Sequence, residues 1–179
     1  MNMKRIFTML TLGLALSGMG MQLTAADQAL PVAGDFQPPK KPGLPPLKWN
    51  LLTGSRGTLE YLRDEKGGSI MLTPAPKATL GIYSPAVPAV AGEHIRIEAT
   101  VYGEKVTVML MQYAKGASSQ TQTVTASKEG KKIVCTFTVK DTPAKGPTKQ
   151  IRIGFKLKDT PATIAEVKVF KTDEAPKGE

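Results

Sequence analysis

The chain has 179 residues, with 24 Lys+Arg against 15 Asp+Glu and a single Cys, a single His and a single Trp. A structural zinc site takes four nitrogen or sulfur ligands, and Cys135 and His94 are the only Cys and His, so zinc fingers, covalent haem motifs and iron–sulfur clusters are excluded. One cysteine also makes no intramolecular disulfide, which leaves an apolar core as the source of stability. With 41% apolar and 22% charged residues, the composition is ordinary for a globular protein, and the length fits one domain.

Lys4 and Arg5 precede the apolar run Ile6 to Leu16, and the small residues Thr24, Ala25 and Ala26 stand just before Asp27. That is the layout of an export signal, and cleavage is expected after Ala26. Thr8, Thr11, Gly13, Ser17, Gly18 and Gly20 interrupt the run, which falls short of the ~20 residues a membrane span needs. The expected mature chain begins at Asp27, has no membrane span, and is secreted or periplasmic. Its net charge is +7, since the signal removes two cations and no acid. The lysines are scattered without a long basic run, which reads as a solvated surface and not as a nucleic-acid stripe.

Residues 27–46 contain Pro31, Pro38, Pro39, Pro42, Pro45 and Pro46 and predict an extended, Pro-rich lead-in, because proline has no N–H and a fixed φ. Beyond it the chain breaks into short β-like runs between Gly, Pro and Asp punctuation, with no sustained 3.6-residue period. Strands are predicted near 47–53, 57–63, 68–73, 78–84, 93–102, 105–113, 120–126, 131–140, 149–158 and 162–170. These make an all-β, two-sheet antiparallel sandwich of about ten short strands over residues 47–171, followed by a charged tail at 172–179.

Alternation assigns the faces. Ile95, Ile97, Ala99 and Val101 point inward, leaving His94, Arg96, Glu98 and Tyr102 outward. Val106, Val108 and Leu110 point inward, leaving Met109, Met111 and Tyr113 outward. Ile133, Cys135, Phe137 and Val139 are core on the next strand, as are Ile151, Ile153, Phe155 and Leu157, then Val167 and Val169. Cys135 is expected as core packing.

Several stretches, in order, resemble the carbohydrate-binding-module-like jelly rolls of the galactose-binding-like superfamily. Gly34-Asp35-Phe36-Gln37 resembles the family's opening motif, Trp49 its early Trp, Gly67 to Leu72 its Gly-Ser-apolar strand, and Ser84 to Ala99 its outer strand, turn and long amphipathic strand. Glu129 to Val139 and Ala162 to Val169 resemble its last two strands. The resemblance covers about residues 33 to 170 and implies a jelly roll. It also implies a structural calcium site built on carboxylates. Here those positions hold Gln37 and Ala165, and simple alternation turns the neighbouring Glu166 to the opposite face, so a metal-free version is expected and no cofactor is assigned.

Catalysis is not signposted. No carboxylate pair, nucleophile–histidine set, GxSxG elbow or phosphate loop is present in the pattern. A binding module remains. Sugar rings stack their C–H faces on aromatic side chains while polar neighbours bond the hydroxyls, and Arg96, Glu98, Tyr102, Met109, Met111 and Tyr113 supply both kinds of group on the outward positions. The expected partner is a glycan or polysaccharide, with an envelope or secreted protein as the alternative and no nucleic acid.

Mass spectrometry of the exported protein is expected to find Asp27 at the N-terminus; Met1 retained in a membrane fraction is the contrary result. Because a metal that binds only the native state raises its stability by mass action, melts in millimolar calcium and in chelator are expected to superimpose.

Overall fold

A computed structural model describes residues 27–65, 67–141 and 145–176, so the expected signal at 1–26 and the end of the tail lie outside the described residues. Twelve strands follow one another in the described chain: β1 (Gln28–Ala29), β2 (Asn50–Leu51), β3 (Gly57–Asp64), β4 (Gly67–Pro74), β5 (Thr79–Tyr83), β6 (Val87–Pro88), β7 (His94–Gly103), β8 (Lys105–Tyr113), β9 (Ala117–Thr125), β10 (Lys131–Thr138), β11 (Gln150–Lys158) and β12 (Ala162–Thr172). They form two antiparallel sheets. The back sheet runs β10-β7-β12-β4-β3 with β1 beside β12, and the front sheet runs β2-β5-β11-β8-β9 with β6 beside β11.

The period-2 pattern does what it predicts. Along β7 the residues alternate between buried and partly exposed, and Ile97, Cys135, Phe137, Ile153 and Phe155 are all 2% exposed or less. Burial pushes the Cys135 thiol up to about 11, consistent with a side chain that packs and does not react.

Strands β7 and β8 are separated only by Glu104, yet they belong to different sheets. The chain crosses at Gly103, whose φ is 149° and where a β-carbon would stand 2.7 Å from the Ala162 Cβ. Only glycine meets both the conformation and the space.

The Pro-rich segment is not a lead-in apart from the sandwich. Val32 and Phe36 are buried in the core, and backbone bonds from Leu30 N to Val169 O and from Val167 N to Gly34 O lay the segment along β12. Trp49 ties it down: its indole N–H donates to Ala33 O at 2.9 Å, and its ring lies 5.0 Å from that of Phe36 and 6.2 Å from that of Phe155. The strand β4 pairs β12 only as far as Ala165, where a bulge shifts the register and Glu166 takes φ 52°; beyond it the N-terminal segment takes over as neighbour.

On the opposite side, edge strands β9 and β10 belong to different sheets, and glutamines span the gap. Gln120 Nε2 donates to Thr138 O at 2.7 Å, Gln122 Nε2 donates to Thr136 O at 2.9 Å, and Gln112 Oε1 accepts from Lys140 N at 2.7 Å. The exposed backbone of an edge strand is thus satisfied by side chains of its neighbour, which blunts it toward other chains.

Phe36 joins the N-terminal segment to the centre of the core, so Phe36→Ala is expected to cost about 3–5 kcal/mol, read as a lowered denaturant midpoint. A lead-in that packs on nothing would give no change.

Candidate functional site

The six residues expected to share one ligand surface are split by the fold. Arg96, Glu98 and Tyr102 stand on the outer face of the back sheet, whereas Met109, Met111 and Tyr113 stand on the outer face of the front sheet. The two outer faces of a sandwich point away from each other, so no single saccharide touches both sets. Alternation correctly turned each residue outward; it carried no information on which sheet the strand joined.

On the back face the charges satisfy one another. Arg96 pairs with Asp27 through Nη2 and lies with Nε 3.2 Å from Glu98, out of line for a hydrogen bond, while its guanidinium covers the Phe170 ring at 5.0 Å. Lys132 Nζ lies 2.8 Å from the other Glu98 oxygen. Glu166 corrects the simple alternation as well: the bulge turns it to the outer side, where its carboxylate accepts from Thr100 Oγ1 at 2.6 Å. Tyr102, 38% exposed, packs on Gly130 and stands between two open recesses, one of 460 Å³ reaching Ser69 and Glu166 and one of 390 Å³ reaching Met71 and Pro161. Among the described residues, Tyr102 is the only aromatic ring lining either recess.

The front face carries a different constellation. Outward positions of three adjacent strands place Tyr83 (β5), Arg152 (β11) and Tyr113 (β8) in a diagonal row, with the Arg152 guanidinium carbon 5.1 Å from the Tyr83 ring centroid and 5.5 Å from that of Tyr113. Such spacing is that of cation–π contacts, so the two rings and the guanidinium hold one another in place. Ser84 fixes the end of β5: its Oγ accepts from Ile153 N at 3.0 Å and its carbonyl accepts from Arg152 Nη1 at 3.4 Å. Beside the row, Gly154 leaves a low point between Tyr83 and Met109, because a β-carbon there would lie 3.3 Å from Ile82 O and 3.5 Å from the Met109 Cβ. Met109 folds into this space and is 7% exposed, while Met111, opposite Arg152, is half-buried. Of the expected residues, the structure therefore brings Met111 and Tyr113 to the open part of this platform and sinks Met109 into its floor. Tyr83 and Arg152 were missed. Each falls on the outward phase of its own strand; their pairing rests on β5 and β8 both flanking β11, which is a long-range fact.

Burial raises the Tyr113 phenol above its ordinary value, with Tyr83 adding to the rise and the Arg152 charge opposing it.

Solved structures that share this arrangement include CBM4, 16% identical with a TM-score of 0.51, covering 80% of this chain and 97% of that one. A family 11 carbohydrate-binding module from Clostridium thermocellum, in complex with a beta-1,3-1,4-mixed-linked tetrasaccharide, is 13% identical with a TM-score of 0.53 over 83% of this chain and 98% of that one. The fold is that of the carbohydrate-binding-module-like jelly rolls. A cyclase from Fischerella sp. TAU is also similar, 11% identical with a TM-score of 0.62 over 84% of this chain and 100% of that one. Carbohydrate-binding modules and a cyclase are therefore both built on this kind of jelly roll, and the site, not the fold, must carry the functional argument. No protein-family model and no curated protein matches the sequence.

Tyr113 stays neutral in the fold beyond the usual phenol range, so its contribution to stability is full below about pH 10 and is lost as pH rises through its higher folded value. Ultraviolet titration is expected to show Tyr113 ionising late, and later still in Arg152→Gln because the opposing charge is gone; an unchanged titration would separate the two side chains.

Proposed function

We propose that this chain is an exported, non-catalytic glycan-binding module whose ligand surface is the outer face of the front sheet. The observation that carries it is the row of Tyr83, Arg152 and Tyr113 on three neighbouring strands. Two aromatic rings held on a rigid sheet offer stacking surfaces for the C–H faces of successive sugar units, and Arg152 between them offers N–H donors to ring substituents. The rings lose little freedom on binding because the guanidinium already orders them.

Acid–base chemistry has little to work with here. Among the described residues, the outward positions of β5, β8, β9 and β11 hold no Asp, Glu or His, so no side chain on the platform is suited to take or give a proton at neutral pH. The likeness to carbohydrate-binding modules supports the same reading, and the expected signal at residues 1–26 supports export.

A few stacked rings give modest strength, with dissociation constants of roughly micromolar to millimolar for a glycan. Tyr83→Ala and Tyr113→Ala are each expected to weaken binding about tenfold by affinity electrophoresis across a polysaccharide panel while shifting the melt little, since partly exposed side chains contribute modestly to the core. Tyr102→Ala, on the other face, is expected to leave binding unchanged. If Tyr102→Ala abolishes binding and the front-face variants do not, the ligand lies in the back-sheet recess.

A further inference from the structure

Among the described residues, the outward strand positions of the front face are basic and include no acid. Its outward positions on β5, β8, β9 and β11 include Lys105, Arg152, Lys156 and Lys158, and among the described residues none of the four has a carboxylate within ion-pair distance. The opposite sheet is built in the other way, with Arg96 and Lys132 matched to Asp27 and Glu98. Arg152 is the extreme case. It is half-buried between two rings, its Nε is shielded from solvent with no hydrogen-bond partner, and its one side-chain hydrogen bond among the described residues, to the Ser84 carbonyl, is long at 3.4 Å.

A partly desolvated cation without a counter-charge gains most from an arriving anion, since the interaction is stronger where water is displaced. Neutral sugars present hydroxyls that both donate and accept, and carboxylate side chains are the strongest acceptors for the donating half; this face has none. Carboxylate and sulfate groups only accept, and cationic donors are what the face supplies.

We infer that the front face binds an acidic saccharide bearing uronate carboxylates or sulfate esters, with Arg152 on the anionic group and Tyr83 and Tyr113 against the sugar rings to either side; this rests on the front face being the glycan platform proposed above. Lys156, four residues along the same strand and on the same face, places a second cation about 13 Å further on.

The test compares polymers that share a backbone and differ in charge: polygalacturonate against its fully methyl-esterified form for carboxylates, and dextran sulfate against dextran for sulfates. Titration calorimetry with the mature protein is expected to show at least about tenfold tighter binding to one charged polymer than to its neutral counterpart, weakening as salt rises. Arg152→Gln is expected to remove about tenfold of that affinity with Arg152→Lys in between, because lysine keeps the charge and loses the planar fork. Lys168→Gln, an exposed cation on the back sheet, is expected to change nothing. Should Arg152→Gln lower the melt, Lys156→Gln removes a second cation from the same face of the same strand and is expected to lose a few-fold. Equal or tighter binding to the neutral polymers, still lost in Tyr83→Ala, overturns the acidic ligand and leaves the platform standing. No binding to any of the four polymers overturns both. Loss from Lys168→Gln equal to that from Arg152→Gln, or equal affinity for a single-stranded oligonucleotide or phosphatidylglycerol vesicles, reduces the effect to bulk charge and overturns the inference.

Discussion

Ile97 and Ile133 of the back sheet face Leu110, Ile153 and Phe155 of the front sheet across a layer in which none is more than 4% exposed. Burying these two inner faces against each other is the dominant favourable term available to a chain with one cysteine. Everything else follows from it. Once the inward phase of every strand is committed to that layer, the outward phases form two separate surfaces, and the chain must cross between sheets within very few residues. Gly103 permits the crossing from β7 to β8, and the glutamines of β8 and β9 close the side where the two sheet edges would otherwise gape. The N-terminal segment completes the layer by inserting Phe36 and Trp49, so it is as much a part of the core as the long strands.

The two outer faces then diverge in chemistry. On the back face, Arg96, Glu98, Lys132 and Asp27 neutralise one another, which suits a surface that holds the N-terminal residues in place. On the front face, the cations form no ion pair among the described residues, and the tyrosines on either side of β11 sandwich the most central of them. An arginine stacked by rings and unmatched by charge is poised for a ligand in a way that a salt-bridged arginine is not, because binding need not first break an existing pair.

Much of the architecture was legible in the residues. The outward and inward assignments along β7, β8, β10 and β11 followed from period 2 alone, as did Cys135 in the core, because a strand with one buried face must alternate. Departures came where local pattern meets a non-local partner. The two-residue strands β1 and β6 are too short to leave a periodic trace and exist only through their pairing with β12 and β11. The prolines of residues 31–46 correctly ruled out helix and central strand but said nothing against packing, and Phe36 is fully buried among them. Glu166 escaped the alternation because a bulge adds a residue that no partner matches.

By itself the sequence determined that the chain is an all-β sandwich, which side chains line its interior, and that no disulfide or zinc cluster supports it. Those properties depend on residue type and spacing along one strand. Which outward residues share a surface was decided only by the tertiary structure. The stretch around Gly103-Glu104 reads equally as a hairpin within one sheet or a crossing between two, and the choice sent Arg96, Glu98 and Tyr102 to one side of the molecule and Tyr113 to the other. The meeting of Tyr83, Arg152 and Tyr113 depends on β11 lying between β5 and β8, a consequence of strand order across the whole chain, which no local periodicity encodes.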